Sequence, residues 1–67
     1  MDLPWRLFRM RLGIAAGDKA PRITLAIQNA EQHTEDMGQE ACAVVAKAIK
    51  GDTLSNDIPV LIGEFAS

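Results

Sequence analysis

RITLAIQNAEQHTEDMGQEACAVVAKAIK, residues 22–50, is the stretch on which the fold turns. Ile23, Ile27, Ala30, Thr34, Met37, Ala41, Val44 and Ala48 recur at alternating spacings of four and three. That is the a/d seam of an amphipathic helix, sustained over more than three heptads. A second row, Gly38, Cys42, Val45 and Ile49, widens the apolar face of the later half. Gln28, Glu31, Gln32, Glu35, Gln39 and Lys47 occupy the opposite face, and Leu25 stands outside the seam, free to meet another segment. Ala, Leu, Gln, Glu and Lys are good helix formers. Gly51 suits a left-handed C-cap, and Lys47 and Lys50 suit the negative end of the helix dipole.

A straight helix over residues 22–50 would be about 43 Å long, whereas a folded chain of this size has a radius of gyration near 11 Å. One resolution is a break across residues 33–38, where Thr34, Asp36 and Gly38 are weak helix formers. Asp36 would then be a new N-cap with Gln39 as its capping-box partner. The other is one continuous or mildly bent helix whose seam is covered by a second chain. The heptad phase passes through Thr34 and Met37 without a slip, which favours the continuous helix. Ala30, Ala41 and Ala48 would let a partner helix approach closely.

Length points the same way. Sixty-seven residues make one small helical domain, and such chains bury only about 60% of their unfolded surface. One Cys and one His supply neither an internal disulfide nor a zinc signature, leaving oligomerisation as the expected staple. Cys42 reads as a small buried hydrophobe. Nothing approaches the run of about 20 apolar residues that a membrane span needs. The N-terminal arginines lie inside the apolar run, unlike a signal peptide, so a cytoplasmic location is expected.

Leu3, Leu7, Met10 and Ile14 fall at 4, 3, 4, and Trp5, Phe8, Leu12 and Ala15 at 3, 4, 3. Asp2 and Pro4 suit the start of this first helix. Alternation of Phe8, Met10, Leu12 and Ile14 also permits a strand. Residues 17–21 form a turn, with Ala20 excluded from the next helix by the proline that follows it and Pro21 placed as that helix's first residue. After Gly51 comes a polar loop. Ile58, Leu61, Ile62 and Phe65 then share one face of a short helix, weakened by Gly63, with a strand from Val60 as the alternative. The expectation is therefore an all-α chain: a short helix, a long central helix over about residues 22–50 and a short C-terminal helix. It would assemble as a homo-oligomer through Ile23, Ile27, Ala30, Met37, Ala41, Val44 and Ala48.

No arrangement of residues supports catalysis. The acidic strip Glu31, Glu35, Asp36 and Glu40 reads as a solvated or partner-facing surface, and His33 as a solvated helix residue. No catalytic residue, metal site or cofactor is expected. Residues 1–22 carry a balance of +3 and residues 23–67 a balance of −5, which favours contact between unlike ends. Arg6, Arg9 and Arg11 are expected to pair with the acidic strip; a membrane surface or nucleic acid is a weaker match for so few charges. Lys19, Arg22 and Thr24 surround the start of the long helix, where free N–H groups suit an anion. With help from Arg6 or Arg9 they would form a pocket between subunits. The leading expectation is a non-enzymatic interaction protein that regulates or inhibits another protein. The alternative is a binder that sequesters a small anionic ligand such as a nucleotide.

Overall fold

Four α-helices alternate in direction around a single apolar core in the computed structural model, which describes residues 3–67. They are α1 (Leu3–Ala16), α2 (Ala20–His33), α3 (Gln39–Ala48) and α4 (Asp57–Ala66), with a 3-10 turn at Gly17–Lys19 joining the first two. The chain is all-helical, and no strand occurs among the described residues. Helix α1 packs on α2 and α4, and α3 packs on the same two, which is the square up-down-up-down arrangement of a four-helix bundle. The bundle measures 27 × 19 × 17 Å, with a radius of gyration of 10.5 Å.

Helical backbone runs unbroken for the 31 residues 3–33, yet this segment doubles back. Gly17 has φ +57°, a left-handed conformation that glycine adopts without steric penalty. The reversal there lays α1 antiparallel to α2. Ala20 is helical, with φ −54° and ψ −39°, and its N–H donates to the Gly17 carbonyl. The expected exclusion of Ala20 from the helix therefore fails: the preceding 3-10 turn already sets helical geometry, and the bias imposed by a following proline yields to it. The expected cap at Asp2 lies outside the described residues.

The long central helix over residues 22–50 is not formed. Helix α2 ends at His33, and Thr34 is extended, with φ −150° and ψ 147°. The Thr34 hydroxyl accepts the Asp36 N–H at 3.1 Å and donates to Glu40 Oε2 at 2.9 Å. The side chain thus competes with the helix for its own backbone and tethers the loop to α3. Gly38, not Asp36, is the N-cap of α3, and no side chain caps it. Breaking the rod lets its halves fold against each other, so both halves of the seam face one core. An unbroken heptad phase is compatible with this, because each half needs the same spacing separately.

The homo-oligomer interface expected on that seam is accordingly used within the chain. Ile23, Ala30 and Ala41 are fully buried and Ile27 nearly so, while Met37, Val44 and Ala48 are half-buried against the same cluster. The core is completed by Trp5, Phe8, Leu12 and Ala16 from α1, Cys42, Val45 and Ile49 from the third segment, and Ile58 and Leu61 from α4. Trp5, Phe8 and Phe65 form an aromatic cluster, with the two phenylalanines stacked at 4.3 Å between centroids. Ala26 and Ala30 of α2 and Ala41 of α3 are buried small side chains on two helices that pack on each other. Leu25, expected to meet another segment, stays exposed.

Candidate functional site

Arg22 lies on the first turn of α2, opposite the end of α3. Its guanidinium forms an ion pair with Asp52, Nε lying 2.8 Å from Oδ2, and donates from Nη2 to the Ala48 carbonyl. It therefore holds the C-terminus of α3, where unpaired carbonyls and the negative dipole end attract a cation. Lys19 shares a concavity of about 540 Å³ with Arg22, but Asp18 and Asp52 line the same hollow. Its two cations and two anions balance.

Thr24, Arg6 and Arg9 lie elsewhere, together in the groove between α1 and α2. The five expected anion-binding residues thus divide into two separate places. Within the second, Glu31 Oε2 accepts from Arg9 at 3.0 Å and from the indole Nε1 of fully buried Trp5 at 2.9 Å. One carboxylate therefore ties two residues of α1 to α2. This matches the expected pairing of arginines with the acidic strip, in one of its three members: Arg11 pairs instead with Glu64 of α4 at 3.5 Å, and Arg6 makes no ion pair among the described residues. The N–H groups expected to be free at the start of α2 continue from the 3-10 turn, and the Ala20 N–H already has a partner.

Remaining chemistry is sparse. Cys42 is buried in α3, its Sγ 3.6 Å from the Ile62 carbonyl, and burial pushes its thiol above the ordinary value of 9.0. The thiolate that would act as nucleophile is thereby disfavoured. His33 Nδ1 lies 2.8 Å from the Asn29 carbonyl at the exposed end of α2. Among the described residues, no three His, Cys, Asp or Glu side chains gather as a metal site. No described helix is long and apolar enough to cross a membrane.

A different feature dominates the surface. Leu3, Leu7, Met10 and Ile14 are 64%, 48%, 56% and 75% exposed. They form the first of the two apolar rows of α1, on the side opposite Trp5, Phe8 and Leu12. At 100° per residue the four fall within about 60° of arc and span about 16 Å. Ile14 and the exposed Val60 of α4 line one groove, and Leu7 lines the next groove along the same helix pair. The spacing of this row is visible in the sequence, but spacing alone does not say which of the two apolar rows of α1 takes the core.

A second apolar hollow, about 430 Å³, lies between α3 and α4, over Ile49, Leu54, Ile58 and Ile62. Gly63 borders it, and a Cβ added there would meet nothing within 4 Å. No family model matches the chain, and neither a curated protein nor a solved structure shows significant similarity to it.

Proposed function

We propose that this chain is a small non-enzymatic interaction protein that regulates or inhibits another protein by docking on the outer face of α1. One observation carries the reading: an a/d row of four large apolar side chains, Leu3, Leu7, Met10 and Ile14, stands in solvent along one face of α1. Scattered single apolar residues are normal on a surface, whereas an aligned apolar row marks a contact site. The balanced charges around Lys19 and Arg22 and the separation of Thr24, Arg6 and Arg9 lend the anionic-ligand alternative no comparable support.

The test places a photo-reactive phenylalanine analogue at Met10 and, as control, at the exposed Gln32 of α2. Irradiation in the native host is expected to give a discrete heavier adduct from position 10 alone. Equal adducts from both positions, or none from position 10, would remove the reading.

A further inference from the structure

Gly13 has no reason within its own chain to be glycine. It lies within α1, without the positive φ that Gly17 and Gly51 adopt, and a Cβ added there would meet nothing within 4 Å. Glycine is a poorer helix former than any residue but proline. Gly13 also borders the exposed apolar row. With Leu3 and Met10 at d and Leu7 and Ile14 at a, the flanking g positions are Arg6 and Gly13, and the e positions are Pro4 and Arg11. Each flank therefore holds one long cationic side chain and one residue too short to oppose it.

The surroundings of the row carry both signs. On the α4 side, Arg11 shares its grooves with Asp57 and Glu64 and pairs with Glu64 at 3.5 Å. On the α2 side, Arg6 and Arg9 share theirs with Glu31. Such flanks match neither a partner of one sign nor an anionic bilayer, but they match a surface that carries the same set.

Pairing geometry fixes the direction. In parallel pairing a g residue faces the e residue five positions later, so Arg6 would face Arg11 of the second copy. In antiparallel pairing g faces g and e faces e. With Leu3 over Ile14 and Leu7 over Met10 of the second copy, Arg6 is set against Gly13 and Arg11 against Pro4. Neither arginine then meets a like charge at a flanking position of α1. Arg11 also enters the groove that Pro4 shares with Glu64 in the second copy.

We infer that a second copy of this chain covers the α1 row in the free protein, as an antiparallel two-fold pair in which Arg6 occupies the space left by Gly13. This rests on the reading of α1 as the contact face and names its occupant before a target arrives, so that docking on another protein competes with self-pairing. The row is narrow and places the pair at the small end of specific interfaces, weak and reversible.

The experiment is sedimentation equilibrium of the full chain from about 1 µM to about 1 mM, a range that brackets a weak pair. A monomer–dimer equilibrium is expected. Gly13→Arg sets arginine against arginine twice and should weaken the dimer at least about tenfold. Gly13→Glu gives each Arg6 a counter-ion and should tighten it about threefold, a gain that salt erases. Both variants replace glycine by a better helix former where a Cβ is unopposed, so thermal unfolding of the monomer should not be lowered. Leu3→Cys and Ile14→Cys, each combined with Cys42→Ala, are then mixed and oxidised. Bridges should join one variant to the other, because like positions lie about 16 Å apart along the axis of an antiparallel pair.

A chain that stays monomeric at about 1 mM, a dimer indifferent to Gly13→Arg, or bridges only between like positions overturns the inference. So does retention on phosphatidylglycerol vesicles by a chain that is monomeric in solution, which makes a membrane the occupant. If the chain is monomeric while the position-10 adduct to another protein persists, only self-pairing is wrong. If position 10 yields only an adduct of two copies, self-pairing stands and docking on another protein falls.

Discussion

Glu31 is the residue whose removal should reach deepest. Its carboxylate is the hydrogen-bond acceptor for the indole of Trp5, which is fully buried, and for Arg9, whose side chain is about one-third exposed. Glu31→Ala leaves the indole N–H buried without a partner, a loss of about 1.5–3 kcal/mol for a bond to a charged group. The Arg9 pair is partly in water, so its share is discounted to about 0.2–1 kcal/mol. The sum, about 2–4 kcal/mol, is a large fraction of the roughly 3–10 kcal/mol expected for a chain of this length. Glu31→Gln keeps an acceptor for the indole and loses only the charge, so it should cost about 1 kcal/mol.

Urea unfolding measures both variants, followed by the emission of the single tryptophan. With a slope of about 1 kcal/mol per M, Glu31→Ala should lower the midpoint by about 2 M or more, and Glu31→Gln by about 1 M. The native emission of Glu31→Ala should also shift to the red as water reaches Trp5. A midpoint loss under about 0.5 M for Glu31→Ala would refute the reasoning, because it would mean that the indole N–H has no need of this carboxylate.

Three further outcomes follow from the geometry. Gly17→Ala places a methyl where nothing lies within 4 Å, so its cost is conformational alone, about 1–2 kcal/mol for a left-handed residue; Gly17→Asn should recover part of it, and equal thermal midpoints for Ala and Gly would contradict the αL hinge. Arg22→Ala removes both the contact to the Ala48 carbonyl and the half-exposed pair with Asp52, and hydrogen exchange should accelerate at the end of α3 while α1 is unaffected; uniform acceleration would argue against a local clamp. Cys42, with its thiol raised by burial, should react with a thiol reagent at pH 8 only as fast as the bundle opens. Because the folded state holds that proton more tightly, its contribution to stability is full below pH 9.0 and is lost as pH rises through the folded value; Cys42→Ala should remove this part of the alkaline loss, and prompt native labelling would refute the burial.

The helical class, the start of α1 near Pro4 and the reversal near Gly17 were legible from local chemistry, whereas local chemistry left residues 58–67 open between a short helix and a strand from Val60. Helix propensity, glycine and proline act over a few residues, so one-dimensional reading reaches them. The apolar identity of Ile23, Ile27, Ala30, Ala41 and Val45 was legible too, because periodicity reports which side of a helix avoids water.

What covers that side was decided only by tertiary structure. Heptad spacing is the same whether a seam meets a partner chain or the other half of its own broken helix, and it is the packing of α2 on α3, with Ile23, Ile27, Ala30, Ala41 and Val45 in one core, that distinguishes the two. Sequence spacing likewise left two apolar rows on α1. The row of Trp5 and Phe8 went inward because Phe65 and Glu31, more than twenty residues away, supply a stacking face and an acceptor for the indole. Leu3, Leu7, Met10 and Ile14 were thereby left outside. A helix has one inner face in a bundle of this width, and which row takes it depends on contacts that span the chain.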